Sequence, residues 1–224
     1  MTKTNQQKVK DFLINNGVII VMFILVIYTG FTSDNFFTKN NFMNILMNMS
    51  SRLVIALGIA GCVITAGCDL SAGRMIGFGA CISGMLLQRM DYSGKFFPDM
   101  QPLNVFVVAL IAMLVCAAFG TVTGFFIAYL NVPPFIATLA MMEIVYGIGL
   151  IVTNATPLGG YVEQYTNVSN GKFLGINYLI WIAIIVAAIT WFIFNMTRHG
   201  KYMYAIGGNP QAAEVAGVPV KATL

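Results

Sequence analysis

The residues with the clearest chemical potential lie between two apolar runs, in the segment ITAGCDLSAGRMIGFGA. Asp69 and Arg74 carry opposite charges, Ser71 adds a hydroxyl, and Gly67 and Gly73 flank this polar centre. A charged side chain deep in lipid costs roughly 2.5–3.5 kcal/mol, so it is retained only where it faces a cavity, a partner or the membrane surface. Glycine costs a helix about 1 kcal/mol relative to alanine. The segment therefore predicts a break in a helix around a polar centre.

Two interpretations of this break stay open. It is either a short turn at the membrane surface with a local Asp69–Arg74 ion pair, or a pair of half-helices whose ends line a polar path. A further acid, Glu143, lies in the middle of a later apolar run, where it faces either a cavity or a hydrogen-bonding group on a neighbouring helix. We treat Asp69, Ser71, Arg74 and Glu143 as a candidate translocation path.

The composition places these residues in an integral membrane protein. Of 224 residues, 58% are hydrophobic and 9% are charged, and the mean hydropathy is +0.80, whereas soluble domains carry about 25% charged residues. The net charge of +4 comes from scattered residues, which argues against nucleic-acid binding. The four cysteines lack metal-ligand spacing and His199 is the single histidine, so we predict no metal site. No motif for nucleophilic catalysis or ATP binding occurs, so we predict no catalytic residue.

The apolar runs predict an all-α, polytopic transmembrane helix bundle. Each run is close to the ~20 residues that a bilayer requires or is interrupted by the break. Residues 42–52 are expected to form a surface helix that leads into the second span. The predicted spans, about six, are residues 13–31, 53–66, 75–87, 103–130, 135–152 and 178–194.

Basic residues set the expected orientation. Lys3, Lys8 and Lys10 predict that residues 1–12 form a cytoplasmic tail. The transmembrane domain then covers residues 13–197, and residues 198–224 return to the cytoplasm. This sidedness is unchanged if residues 53–87 form a re-entrant pair instead of two spans.

A short capped helix is predicted in the cytoplasmic segment. Asn209 is typical of a helix N-cap, Pro210 suits the first helical position, and Gly217 is expected to end the helix. Such a helix indicates a partner that receives it.

Three segments carry a family resemblance: ITAGCDLSAGR, NVPPFIATLAMMEIVYG and TRHGKYMYAIGGNPQAAEVAGV. Together they resemble the permease subunits of bacterial ABC importers for monosaccharides, the ribose, xylose and galactose group. The forms DLSAGR, LLQRMD and IAYLNVPPFI are most similar to its galactose branch. Members of the family continue beyond this length, so the resemblance predicts that the chain is truncated.

The resemblance implies a subunit that imports a monosaccharide, galactose or a methyl galactoside first, without hydrolysing ATP itself. It implies an ATP-binding subunit on the cytoplasmic side, a periplasmic or lipid-anchored sugar-binding protein, a second permease copy and the bacterial inner membrane. ATP would be used by the partner, and this chain would bind no cofactor. Two residues, Cys68 and Glu143, depart from the family pattern. The residues expected to couple to the ATPase are Gly207, Gly208, Asn209, Ala212, Ala213, Glu214 and Gly217.

An ion-coupled secondary transporter is the alternative function. Its broken helices and intramembrane carboxylates would produce a similar sequence. It has no evident use for a capped cytoplasmic helix, and dependence on an ATPase partner separates the two.

Overall fold

The computed structural model describes residues 13–224, so the predicted tail 1–12 lies outside the described range. The described chain forms two compact units, residues 13–48 and Met49–Leu224. Its helices are α1 (Gly17–Thr32), α2 (Lys39–Ile64), α3 (Ala72–Leu86), α4 (Val105–Leu130), α5 (Pro134–Thr153), α6 (Glu163–Asn170), α7 (Tyr178–Met196), α8 (Arg198–Gly208), α9 (Pro210–Val215) and α10 (Val220–Thr223). A two-stranded sheet, β1 (Lys172–Phe173) and β2 (Ile176–Asn177), lies between α6 and α7.

The predicted all-α membrane bundle is confirmed. In the described part, α2, α4, α5 and α7 are long and apolar enough to cross a membrane, and α1 and α3 are shorter apolar helices. These six helices correspond to the six predicted spans. Most of their large apolar side chains are exposed, as expected for surfaces that lipid covers.

The expected surface helix at residues 42–52 is not a separate element. It is the first part of α2, which runs without interruption from Lys39 to Ile64. Its polar side chains are accommodated within the helix: the Asn48 amide donates to the carbonyl of Asn44, four residues earlier, at 2.9 Å. No glycine or proline interrupts this stretch, so the helix continues.

In the unit of residues 13–48, a compact turn connects α1 to α2. The Thr38 hydroxyl donates to the carbonyl of Asn35, and the Asn41 amide donates to that of Phe36, both at 2.8 Å. The rings of Phe36 and Phe37 meet edge to face. Both phenylalanines are thus part of a folded turn.

The core of the second unit lies where α3, α4 and α5 pack together. Phe78 and Ile82 of α3, Ala112 of α4, and Met141 and Val145 of α5 form its buried cluster. The Phe78 ring also meets Phe119 edge to face, with centroids 5.5 Å apart. Packing of these three helices fixes the two connections that precede α3 and α5.

At one end of this bundle, two connections are held together around Gln88. This side chain is 1% exposed; its amide donates to the carbonyl of Gly159 at 3.1 Å, and its oxygen accepts from the Phe96 amide at 2.7 Å. Burial raises the pKa of the neighbouring Tyr161, with smaller contributions from nearby ionisable groups. These contacts tie the loop after α3 to the loop after α5.

The long connection from α5 to α7 is folded. Leu174 and Gly175 both have positive φ, as a two-residue hairpin turn requires, and they join β1 to β2. Asn177, 2% exposed, donates to the carbonyl of Ser169 and accepts from the Leu179 amide at the start of α7. This connection therefore forms a small structure of its own.

Candidate functional site

The predicted break is present, and α2 ends in a Schellman motif. Ala66 has φ +60°, its amide donates to Val63, and the Gly67 amide donates to the carbonyl of Cys62 at 2.8 Å. The left-handed residue is therefore Ala66, although glycine is the usual residue there. The sequence placed the break between Gly67 and Gly73, but Gly73 lies inside α3.

The acid at the break organises the start of α3. Asp69 Oδ1 accepts from the Ser71 amide at 2.8 Å and from the Ser71 hydroxyl at 2.7 Å. This is an Asx turn, and it places a carboxylate near the positive end of the helix dipole. Ser71 is the N-cap residue but its own side chain makes no cap hydrogen bond, so Asp69 supplies that function.

The local Asp69–Arg74 ion pair is absent. The Arg74 guanidinium instead lies over the ring of Tyr146 on α5, 3.9 Å from its centroid, a favourable cation–π geometry. In residues 13–224 the ion pair that forms is Arg89 with Asp91, in the loop after α3. Helix α3 turns Arg74 toward α5 and away from the Asx turn, which separates the two charges.

The break lies near one end of the bundle. The hydroxyl of Thr138, 3% exposed, lies 2.8 Å from the carbonyl of Pro134 and 3.2 Å from that of Cys68. Thr138 is one turn, about 6 Å, from the first residue of α5. The backbone at the break therefore fits the interpretation of a turn near the membrane surface.

A cavity of about 450 Å³ opens beside the break, within the range of small-molecule sites. The turn between α4 and α5, one face of α4 and the segment after α7 complete its wall. Asp69 and Ser71 line this cavity, whereas Arg74 and Glu143 do not. The polar residues that line it include Thr65, Asp69, Ser71, Thr123, Asn131 and Thr138, and Leu224 also lines it.

Each hydroxyl around this cavity already donates a hydrogen bond within the chain. Thr65, Thr123 and Thr138 each donate to a backbone carbonyl of their own helix, and Ser71 donates to Asp69. A hydroxyl whose hydrogen is engaged in one hydrogen bond can still accept others through its oxygen lone pairs. Together with the Asp69 carboxylate, the wall presents mainly acceptors and suits a ligand with many O–H donors.

A second cavity, about 810 Å³ and mostly apolar, lies between α2, α3 and α4. It shares Asp69, Ser71 and Gly120 with the first cavity. The Asx turn therefore stands between a polar space at the end of the bundle and an apolar space along it.

Glu143 does not reach either cavity. It is exposed on the outer face of α5, one turn before Tyr146. Among the described residues, no side chain or backbone group hydrogen-bonds or ion-pairs with it. The structure thus brings Asp69 and Ser71 together and places Arg74 and Glu143 on another face.

The predicted capped helix is present as α9. Asn209 Oδ1 accepts from the Ala212 amide at 3.0 Å, and Pro210 occupies the first position. Gly217 has φ +84° and closes a second Schellman motif, in which Val218 donates to Ala213. Residues 208–212 and 214–217 of this segment are all exposed, and the expected coupling residues among them are Gly208, Asn209, Ala212, Glu214 and Gly217.

Two of the expected coupling residues face the protein interior. Ala213 is 5% exposed, and Gly207 packs against the end of α2. A Cβ built on Gly207 would lie 1.8 Å from the carbonyl oxygen of Ile64, so only glycine fits there without movement. Gly207 and Gly208 form the last turn of α8. The helix that carries α9 therefore touches the break directly.

Residues 41–224 match the family described as branched-chain amino acid transport system, permease component. The chain belongs to this permease family. It is 39% identical to the galactose/methyl galactoside import permease protein MglC of Escherichia coli K12 and 40% identical to that of Haemophilus influenzae, in each case over 100% of this chain and 69% of the relative. It is 31% identical to the ribose import permease protein RbsC of Escherichia coli K12, over 94% of this chain and 63% of that relative. No solved structure matches the chain.

Membership of this family confirms the resemblance that the three motifs indicated and makes the chain a multi-pass membrane permease. It also favours an ATP-driven permease over the ion-coupled alternative. Within residues 13–224, no group of three His, Cys, Asp or Glu side chains is placed to hold a metal ion.

Sequence reasoning missed several residues of the cavity wall. Thr138 lies in the segment NVPPFIATLAMMEIVYG, in which Glu143 drew attention because it is charged. Gly120 and Gly124 are not in close contact with another helix: a Cβ at Gly120 would meet nothing within 4 Å, and one at Gly124 would meet only Leu224. Both glycines line the cavity instead.

Proposed function

We propose that this protein is the membrane-spanning subunit of an ATP-driven ABC importer in the bacterial inner membrane. It would move a monosaccharide, galactose or a methyl galactoside first, into the cytoplasm. One observation carries the mechanism: α8 packs through Gly207 on the end of α2, beside the cavity, and continues into the exposed helix α9. A partner that moves α9 would therefore act on the wall of the cavity.

The sugar assignment rests on two supports. Relatives that match the whole chain are named as galactose/methyl galactoside permeases. The cavity wall contains Asp69 and hydroxyls that already donate hydrogen bonds within the chain, so it presents many acceptors. Such a wall suits a neutral ligand with many O–H groups.

A branched-chain amino acid is the second candidate substrate, since the family description names that class. Its carboxylate would need donors. The hydroxyls of Thr65, Ser71 and Thr138 already donate hydrogen bonds within the chain, which leaves the Asn131 amide as a side-chain donor for the carboxylate, while Asp69 could accept from the ammonium group. The identity to galactose permeases over the whole chain favours the sugar as the first candidate.

The partners follow from the two ends of the bundle. An ATP-binding subunit would receive α9 on the cytoplasmic side, where Glu214 and Val215 are both exposed; Val215 is 91% exposed. ATP would bind to that subunit, and this chain would hold no cofactor. A periplasmic or lipid-anchored sugar-binding protein would meet the opposite end, where α6 and the hairpin lie. A second permease copy would complete the membrane domain, and the N-terminus would be cytoplasmic.

The proposal is tested in the native bacterium, where the partners are present. The gene is deleted and replaced by wild type, Glu214→Arg or the matched variant Lys221→Glu, which reverses a neighbouring exposed charge outside α9. We expect deletion to abolish uptake of labelled galactose and to leave labelled leucine uptake unchanged, and Glu214→Arg to lower galactose uptake at least about tenfold, since a buried partner charge pair costs 2–5 kcal/mol to break.

Protein levels in the membrane are measured for each variant. Loss of leucine uptake with normal galactose uptake would replace the sugar assignment by the amino-acid one. Normal galactose uptake in Glu214→Arg would remove α9 as the site of ATPase coupling.

A further inference from the structure

Three threonines are buried in the described part of the chain, and one of them differs from the other two. Thr123, Thr138 and Thr153 are 7%, 3% and 6% exposed. The hydroxyl of each lies 3.0, 2.8 and 2.8 Å, respectively, from the carbonyl four residues earlier in its own helix. The Thr138 hydroxyl also lies 3.2 Å from the carbonyl of Cys68, which belongs to a different element. Thr138 is therefore the buried threonine whose hydroxyl joins two elements.

The carbonyl that Thr138 reaches belongs to the break. Cys68 lies between the end of α2 and the start of α3, outside both helices. Its carbonyl forms one planar peptide group with the amide of Asp69, so a contact with this oxygen restrains the plane from which Asp69 continues. The Asp69 side chain lines the cavity. A restraint on the Cys68 carbonyl is thus also a restraint on the acid in the cavity wall.

The Thr138 hydroxyl has one proton for two carbonyls. The Pro134 carbonyl, at 2.8 Å, belongs to α5 itself, and the Cys68 carbonyl, at 3.2 Å, belongs to the break. A hydroxyl carries a single donor hydrogen. Donation to Pro134 releases the break, and donation to Cys68 holds it. Rotation of the hydroxyl exchanges the two without any change in the helix.

Packing keeps the hydroxyl and the break close together. A Cβ built on Gly67 would lie 3.9 Å from the side chain of Pro134, so the break is within contact distance of the start of α5. Because Thr138 is buried, water does not replace its hydroxyl easily, and a variant without it leaves the Cys68 carbonyl without this donor.

We propose that Thr138 is a positioning residue for transport: its hydroxyl holds the peptide group between Cys68 and Asp69 against α5 and thereby sets where the Asp69 carboxylate stands in the cavity wall. The inference rests on the proposed transport function. It adds a residue that acts through Asp69 and makes no contact with the transported molecule itself.

Amide hydrogen exchange on the purified chain in detergent tests the contact directly. Peptides that cover residues 65–71 report on the break, because the amides of Gly67 and Ser71 exchange only when their hydrogen bonds open. Thr138→Val removes the hydroxyl and keeps nearly the same shape, whereas Thr138→Ser keeps the hydroxyl. The matched control is Thr123→Val, in the same cavity wall, since the Thr123 hydroxyl donates to its own helix.

We expect Thr138→Val to speed exchange in residues 65–71 by about two- to tenfold, the factor that corresponds to the net contribution of one hydrogen bond. Thr138→Ser and Thr123→Val are expected to leave exchange there at the wild-type rate. Residues 163–177, which lie in α6 and the hairpin, are expected to stay unchanged in every variant. Thr138→Ala provides a second variant without the hydroxyl, and we expect the same local effect from it.

Uptake of labelled galactose in the native bacterium tests the role in transport. We expect Thr138→Val to lower the maximal rate by about two- to tenfold, since the break is held correctly for a smaller fraction of the time. The half-saturating concentration is expected to stay the same, because Thr138 acts at the cavity and not at the opposite end, where the sugar-binding protein would deliver its ligand. Thr138→Ser is expected to restore the rate, with protein levels in the membrane measured for each variant.

Equal exchange in Thr138→Val and Thr123→Val would overturn the contact with the break and leave the proposed function standing. Faster exchange in Thr138→Ser as well as in Thr138→Val would assign the effect to the lost methyl group or to packing, and would also overturn it. Faster exchange along the whole chain would show general destabilisation in place of positioning. Absence of galactose uptake in the wild type would remove the proposed function, whereas the exchange experiment would still decide whether Thr138 holds the break.

Discussion

Replacing Gly207 by alanine tests the contact between α8 and the break. The new Cβ would lie 1.8 Å from the Ile64 carbonyl oxygen. Carbon and oxygen atoms approach to about 3.3 Å even in weak C–H···O contacts. Helix α8 or the end of α2 must therefore move by about 1.5 Å, and overpacking of this kind costs about 1–3 kcal/mol.

The matched variant is Gly208→Ala, one residue further along the same helix. A Cβ there would meet nothing within 4 Å, so alanine gains up to about 1 kcal/mol of helix propensity. In a chain of this size, 1 kcal/mol corresponds to about 2–4 °C in Tm. We expect thermal unfolding in detergent to show Gly207→Ala less stable than Gly208→Ala by about 3–10 °C. Equal Tm values would refute the tight packing of α8 on α2.

Three further predictions concern the break and the opposite end. Ala66→Gly removes the penalty of about 1–2 kcal/mol for a left-handed alanine at the end of α2, and the entropy cost of glycine offsets part of this gain. We therefore expect a slightly higher Tm, whereas a lower Tm would argue against the Schellman motif. Asp69→Ala removes the acceptor for the Ser71 amide and is expected to lower the free energy of unfolding by about 1–2 kcal/mol. Asp69→Asn keeps an acceptor oxygen, so we expect it to lose less than half of that stability. Equal losses in the two variants would mean that only the charge of Asp69 matters. Tyr161 has a raised pKa, so its contribution to stability is complete below pH 10.0 and is lost as the pH rises further; phenolate absorbance compared with Tyr161→Phe is expected to show ionisation at higher pH than in the unfolded chain.

The local features of the sequence were sufficient for the capped helix. Asn209, Pro210 and Gly217 each have a local conformational preference that marks where α9 begins or ends, and the structure shows the predicted cap and stop. The apolar runs likewise identified the spans, because the bilayer demands long helices of any sequence that crosses it.

Contacts between elements that are distant in the chain could not be predicted from the sequence. Arg74 was matched with Asp69 because they are neighbours in the chain, but the helical turn of α3 directs Arg74 to Tyr146 on α5. Glycine is the usual left-handed residue at a helix end, yet the hydrogen bonds of Gly67 and Ser71 fix the turn around Ala66. Tertiary contacts offset a local cost of about 1–2 kcal/mol there, which no propensity scale includes.

The position of the break joins the two candidate sites that the sequence treated separately. Because Cys68 meets Thr138 one turn from the start of α5, the Asx turn lies at the same end of the bundle as α8 and α9. A displacement of α9 then has a short route to the cavity: α8 moves Gly207 against Ile64, and the residues after Ile64 carry Asp69. Closely packed helices transmit small shifts of this kind with little loss. If the break lay in the middle of the membrane, the same displacement of α9 would have to pass through more contacts to reach it.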